Sequence, residues 1–327
     1  MQLDVNKLGL IVIGENFNTT RRLRASGPRV FKEGDKAGLR YTDLDGTKKV
    51  LDITEAYPED ETQVATARIP HIAIALRNND VDYITWAIRS QERAGAHIID
   101  LCVDEMSVEP EERYEWIRKL VPLAQSITDL PVAIDSSDSN TIAAGLEAHD
   151  GSRNRPVINS VNLEEGRQVL IDMARERNAI LFANASGRDG MPQDDKERVE
   201  NLRTVMEMMD AGGIAMEDRF LDPLVFPVGA GPEFGKHYIL AVRQLREDYP
   251  DVHIFGGHSN VSFGLPRRKL LNQVFVSLAI AAGCDSVMVD PIMNPPGEFI
   301  EFRFAAQALM ADDAYSVRYL KYIRSTR

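Results

Sequence analysis

Short runs rich in β-branched residues alternate with amphipathic stretches of helix length along almost the whole chain, and this rhythm restricts the fold more than any other feature. Eight strands are expected, at Leu10–Gly14, His97–Val103, Pro131–Asp135, Pro156–Asn159, Ala179–Ala183, Arg219–Asp222, Val252–Gly256 and Ser286–Asp290. Between them, side chains recur at helical spacing, as in Tyr83, Trp86, Ala87, Ser90 and Gln91 before Gly95, then Tyr114, Ile117, Leu120 and Val121. Gly145, Gly212 and Gly283 stand where those helices should stop. Eight βα units of roughly 30 residues need about 250 residues. The 327 present therefore suffice for an α/β fold of the (β/α)8 TIM-barrel type, formed by 1–327 as one domain. A doubly wound open sheet is the alternative.

One stretch breaks the rhythm. After the first strand a helix is due, yet residues 21–66 are polar and interrupted by Pro28 and Pro58, which marks an insertion between strand 1 and helix 1. Within it, Leu39–Thr42 and Lys49–Ile53 flank Asp45-Gly46, a dipeptide suited to a hairpin turn. The first part of the insertion is basic, and 55–61 is acidic.

Composition excludes several classes of function. No apolar run approaches the roughly 18 residues of a membrane span, and 38 basic against 50 acidic residues give a net charge of −12. That charge disfavours binding to nucleic acid or an anionic membrane surface. Two distant cysteines, Cys102 and Cys284, and no recognisable secretory leader suggest a reducing, cytoplasmic location. No Cys-x-x-Cys or His-Glu-x-x-His occurs, and the six histidines never take ligand spacing, so no metal site is expected. Gly229, Gly231 and Gly235 miss the dinucleotide fingerprint, and neither a P-loop nor a nucleophile elbow occurs. Cys102 lies at a strand end without a histidine to activate it and reads as a core thiol.

In a βα barrel, chemistry belongs at the carboxyl ends of the strands. There stand Glu15 with Asn18, Asp100, Asp135, Asn159 with Asn162, Asn184, Asp222, Asn260 with Ser259 and Ser262, and Asp290. So many carboxylates and carboxamides exceed what solvation of a barrel mouth requires. With Arg267-Arg268 the main fixed positive charge, a polyphosphate fits badly. A flat heterocycle presenting an amino group and a ring N–H to a carboxylate fits well, because an ionised Asp accepts two parallel bonds from such an edge.

Five of these segments are recognisable together: Ile13-Gly14-Glu15-Asn16-Phe17-Asn18, Ile134-Asp135-Ser136, Ile158-Asn159-Ser160, Leu221-Asp222-Pro223-Leu224 and His258-Ser259-Asn260-Val261-Ser262. In this order the chain resembles the methyltetrahydrofolate:corrinoid methyltransferases and the folate domain of cobalamin-dependent methionine synthase, over nearly its whole length except the insertion. The resemblance implies that Asp135, Asn159 and Asp222 hydrogen-bond the pterin edge, with Glu15, Asn18, Asp100 and Ser262 in the same folate site. It implies that Arg268 packs on the pterin face and that Asn260, the catalytic residue, contacts the folate N5 as the methyl group leaves.

It further implies tetrahydrofolate or 5-methyltetrahydrofolate as substrate, a corrinoid (cobalamin) supplied by a partner corrinoid protein, no protein-bound metal, and a homodimer. Gly187 departs from the family, which often has an asparagine there. Two other functions remain open at this point: a dihydropteroate synthase-like enzyme, whose Asn-Val-Thr-Pro-Asp-Ser-Phe-like and Ser-x-Arg segments are absent, and a non-catalytic folate-binding subunit.

Overall fold

The computed structural model describes residues 3–325. Its eight-stranded parallel sheet is made of β1 (Ile11–Asn18), β7 (Ile98–Cys102), β8 (Val132–Asp135), β9 (Val157–Val161), β10 (Ile180–Asn184), β11 (Arg219–Asp222), β12 (His253–Ile254) and β13 (Ser286–Val289). The ladder runs β12-β11-β10-β9-β8-β7-β1-β13, and a Gly257–Met288 bridge joins its two ends, so the sheet is a barrel rather than an open doubly wound array. Of the intervening strands, β2 (Leu23–Arg24), β3 (Val30–Glu33), β4 (Lys36–Thr42) and β5 (Lys48–Asp52) belong to the insertion, and β6 (Arg68–Ile69), just beyond it, pairs with β2.

The barrel's outer helices are α3 (Val81–Arg93), α4 (Pro110–Ile127), α5 (Ser139–Ala148), α6 (Val169–Arg177), α7 (Asp195–Ala211), α8 (Phe234–Asp248), α9 (Arg268–Ala282) and α10 (Pro296–Leu309). They are preceded by α1 (Val5–Leu8) and α2 (His71–Arg77) and followed by α11 (Val317–Ser325). Local sequence sets several of their starts: Asp80, Asp138 and Asp194 cap α3, α5 and α7 by accepting backbone N–H bonds, and Pro110 opens α4. Gly212 and Gly283 follow α7 and α9 as the sequence suggests, but Gly145 does not end a helix. It lies inside α5, where a Cβ would come within 2.8 Å of Ile134 and 3.0 Å of Ile117, so its smallness lets α5 approach β8 and α4.

Side chains alternate across each strand, and the alternation separates two cores. Ile11, Ile13, Ile98, Ala133, Val157, Ile180, Phe182, Phe220 and Phe255 point into the barrel and fill it, with Phe182 4.7 Å from Phe255 and 5.1 Å from Phe220 between ring centroids. Residues of the opposite parity, such as Ile99, Leu101, Ile134, Ile158 and Leu181, pack against the helices.

The expected hairpin at Asp45-Gly46 is present and gains a third strand: β3 and β5 both pair antiparallel with β4. The insertion is not a loose excursion. Leu39, Tyr41, Leu51 and Ile53 are buried in the main core, and Tyr41 sits 4.9 Å from Tyr83 and 5.1 Å from Trp86 of α3. Lys49 pairs with Asp82 at 2.9 Å, and Arg93 donates to the Leu44 carbonyl at 2.9 Å, so the small sheet is laid along the flank of α3.

Candidate functional site

Parity carries the apolar interior upward into a polar layer. Continuing the inward positions by two residues from Ile13, Ile98, Ala133, Val157, Phe182 and Phe220 reaches Glu15, Asp100, Asp135, Asn159, Asn184 and Asp222. Register sets them side by side, Asp135 opposite Asn159 and Asn184 opposite Asp222, while Asp100 lies one level deeper, opposite Ala133. Asn159 donates its side-chain N–H to the Asp100 carboxylate at 3.0 Å. Asn162 donates to Asn184 at 3.3 Å, and Asn184 donates to the Ser160 hydroxyl at 2.7 Å.

Burial governs the electrostatics of this layer. The Asp222 carboxyl is pushed up to about 7 by loss of solvent, against partial relief from the Leu224 N–H and the Arg198 guanidinium. Burial likewise raises Asp135, helped by the neighbouring Asp104 charge and opposed by the Cys102 thiol and Arg167. Asp100 is held well above the ordinary range by burial and by Asp135. Glu15 is raised by burial, although Arg21 draws it down. Burial thus favours the protonated form of each of these carboxyls, and N–H donors facing them would favour the ionised form.

At the β1 side of the mouth the first strand continues four residues past its expected end at Gly14, with a bulge between Gly14 and Phe17. The bulge lets Asn16 as well as Glu15 face the rim: Asn16 donates to Asp290 at 2.9 Å, and Arg21 bridges Glu15 at 2.8 Å and Asp290 at 3.2 Å. Asn18 is there too, its side-chain Oδ1 accepting the Thr20 N–H at 2.9 Å.

At the β12 side, residues 258–262 form a 3-10 turn. His258 beneath it is fully buried and bonded to the Tyr238 hydroxyl at 3.1 Å, with burial lowering it to about 3, so its ring is neutral. Asn260 lies exposed on this turn. Arg268 is tied to the turn, donating to Ser262 Oγ at 3.0 Å and to the Ser259 carbonyl at 2.8 Å. Ser262 is not at the surface of the cleft: it is fully buried, and its hydroxyl donates to Asn272 at 2.6 Å.

Three further cations stand beside the carboxylates, where the sequence suggests little positive charge beyond Arg267-Arg268. Arg21 is one. Arg167 is 5% exposed and bonds the carbonyls of Ser136 and Ser160. Arg198 is fully buried over the Phe226 ring, and its Nη2 has no partner. Arg167 and Arg198 have no local pattern to single them out, whereas Arg21 opens the basic first part of the insertion beside Arg22.

A cavity of about 650 Å³ opens at the other end of the barrel, lined among others by Arg246, His253, Asp285, Arg303 and Arg318. Its ionic groups largely satisfy one another, as His253 with Asp285 at 2.9 Å, and it lies at the barrel face that serves stability rather than chemistry. Among the described residues no group of three or more His, Cys, Asp or Glu is arranged to hold a metal ion, and no helix is long and apolar enough to cross a membrane.

Comparison with known proteins agrees with this geometry. Residues 73–290 match the family described as pterin binding enzyme. A methylcorrinoid:tetrahydrofolate methyltransferase of Eubacterium limosum is 28% identical over 259 residues, covering 78% of this chain and 92% of that protein. Methionine synthase of Mycobacterium tuberculosis is 31% identical over 214 residues, 62% of this chain but only 17% of that longer protein. Among solved structures, a Yersinia pestis DHPS bound to a pterine-sulfa conjugate superposes with a TM-score of 0.55 at 17% identity, covering 72% of this chain and 90% of that one. The 7,8-dihydropteroate synthase of Vibrio fischeri gives 0.52 at 14% identity, covering 72% and 86%. At such identities these structures share the fold alone.

Proposed function

Because the chain belongs to the pterin-binding enzymes, we propose that it is a methyltransferase moving a methyl group between N5 of tetrahydrofolate and the cobalt of a corrinoid carried by a separate protein. The observation that carries this reading is the layer of inward-facing Asp100, Asp135, Asn159 and Asp222 with an exposed asparagine, Asn260, on the turn beside it. The relative from Eubacterium limosum, similar over most of both chains, supports the same chemistry and the direction from methylcorrinoid to tetrahydrofolate, as in corrinoid-dependent demethylation. We further propose that the protein acts in the cytoplasm as a homodimer of one-domain barrels.

Asp135, Asp222 and Asn159 would hold the amino-pyrimidinone edge of the pterin, the carboxyls ionising as ring N–H donors pair with them. Asp100 would orient Asn159 through their hydrogen bond. Glu15 and Asn18 would close the pocket at the β1 side, and Arg268, anchored through Ser262 and Ser259, would cover the pterin face. The corrinoid supplies a metal centre able to give or accept a methyl group.

Asn260 would donate a hydrogen bond at N5. When the N5–methyl bond breaks, its electron pair stays on nitrogen, which must be protonated or strongly hydrogen-bonded to leave. In the other direction the N5 lone pair forms the bond to the methyl group, and the proton on N5 is released afterwards. A neutral amide stabilises the charge developing in either direction without titrating, worth about 2.7–4 kcal/mol if it behaves like an oxyanion-hole donor.

The test is calorimetric titration with tetrahydrofolate and methyltetrahydrofolate, with Asp135→Ala alongside, followed by transfer assays with methylcob(III)alamin. Saturable binding lost in the variant, together with turnover, upholds the proposal. Binding without turnover, even with a corrinoid protein, would favour the non-catalytic folate-binding subunit, and no binding at all removes the basis of both.

A further inference from the structure

Arg167 lies in the segment between β9 and α6, and its guanidinium is turned inward, not to solvent. Its Nε and Nη2 both donate to the Ser160 carbonyl, the former at 3.0 Å, and Nη1 donates to the Ser136 carbonyl at 3.1 Å. Ser136 directly follows Asp135, and Ser160 directly follows Asn159. One side chain thus grips the chain immediately beyond two neighbouring site residues on adjacent strands. From the other side, Asp104 accepts the Ser136 hydroxyl at 2.6 Å, the Ser137 hydroxyl at 2.8 Å and the Ser137 N–H at 2.9 Å. The Asp135 strand end is therefore held between a cation and an anion.

Burying an arginine is expensive, and here the hydrogen bonds described for it go to backbone carbonyls rather than to a carboxylate. A tie between two strand ends alone could be made by an uncharged amide. The charge itself has a use, because the groups facing Asp135 are otherwise unfavourable to its ionisation: Asp104 from the loop after β7 and Asp100 from β7, with only the Cys102 thiol bonding to it. Glu164, Asp138 and Asp104 also act on Arg167.

Resting on the methyltransferase reading above, we propose that Arg167 is a positioning residue for folate binding, which fixes Asp135 and Asn159 in a common plane and supplies the positive charge that lets Asp135 ionise against the pterin edge. A lysine keeps the charge but not the planar fork, and methionine keeps the bulk but neither.

The test follows two readouts in the full-length protein, Arg167→Lys and Arg167→Met. These are the pH dependence of tetrahydrofolate affinity and the carboxyl carbon-13 titration of Asp135 without ligand. Arg167→Met should move the Asp135 midpoint to higher pH and weaken binding at neutral pH by at least about tenfold through lost charge and misplacement. Arg167→Lys should leave the midpoint nearer the original while still losing affinity, because only the geometry is spoiled.

Folded variants that lose thermal stability but keep both the Asp135 midpoint and the folate affinity would reduce Arg167 to a strand tie and overturn the proposal. If Arg167→Met does not fold, Arg167→Lys decides: affinity equal to the unaltered protein's overturns it. If the unaltered protein binds neither folate, the proposed function fails, and a titration of Asp135 that ignores Arg167 would sink the present inference separately.

Discussion

Asn159 and Asp100 are joined at 3.0 Å across the barrel, from β9 to β7, with β8 lying between them. The bond satisfies one of the deepest carboxyls of the cleft and fixes which face of the Asn159 amide is left for a ligand. Asp100→Asn preserves the shape and an acceptor oxygen while removing a group whose charge is disfavoured by burial. Folding stability at mildly alkaline pH should therefore be equal to or above that of the unaltered protein by urea denaturation, whereas Asp100→Ala, which orphans the Asn159 amide, should cost about 1–3 kcal/mol. Tetrahydrofolate affinity should fall in both, and more in the alanine variant.

The pH dependence has a definite sign. Asp222 titrates at about 7 in the folded protein, against 3.8 for the ordinary carboxyl, so between those values the folded state binds more protons than the unfolded chain. Its stabilising contribution is complete below about pH 4 and is lost as pH rises through about 7, at up to about 1.4 kcal/mol per pH unit. His71 and His258, lowered by burial to about 3, act in the opposite sense, but only below their ordinary value of 6.5. Urea midpoints taken from about pH 6.5 to about pH 8 should accordingly decline, and Asp222→Asn should flatten the decline. A profile as steep in the variant as in the unaltered protein would show that Asp222 does not hold its proton.

Asn260 has no role in the core: it is exposed, the hydrogen bonds described for it are backbone bonds that shape the turn, and its side-chain amide lies over Gly257. Asn260→Ala should leave the thermal midpoint and folate affinity nearly unchanged while lowering the methyl-transfer rate by about 10²–10³-fold. Single-turnover kinetics separate the two quantities. An equal loss in affinity and in rate would mean that Asn260 binds the folate rather than stabilising the change at N5.

Much of this arrangement is legible in the sequence because a parallel barrel converts a period of two into position. Once Ile98, Ala133, Val157 and Phe220 are known to point inward, Asp100, Asp135, Asn159 and Asp222 must follow them onto the same face, and the strand ends are marked by the change from apolar to polar residues. What depends on distant packing is not legible. Nothing near Arg167 indicates that its guanidinium reaches the carbonyls of Ser136 and Ser160, and nothing near Ser262 indicates that Asn272 claims its hydroxyl. Gly145 has the residue type of a helix stop, yet its meaning is steric and visible only when Ile134 and Ile117 are in place.

The insertion shows the same limit and yields the last prediction. Its polarity and prolines mark it as an insertion, but Tyr41 is 5% exposed and packed on Tyr83 and Trp86, while Leu39 and Leu51 are fully buried in the main core. Deleting 23–64 would strip the apolar cover from α3, so the truncated chain should fail to fold rather than transfer methyl groups normally. Tyr41→Ala tests the point without deleting the chain: removing a large buried ring costs on the order of 3–5 kcal/mol, read as a drop in urea midpoint. Folate affinity should stay within about twofold, since Tyr41 packs on the outward flank of α3 and the carboxylates face the barrel interior. Arg21 is the exception within the insertion, because it reaches Glu15 and Asp290 at the rim. Arg21→Gln breaks partly buried ion pairs and leaves Glu15 and Asp290 without their cation, so it should lower stability as well as change folate binding by releasing Glu15. If Tyr41→Ala alters folate affinity as strongly as Arg21→Gln does, the insertion is coupled to the cleft through α3, and Arg21 is not its only route there.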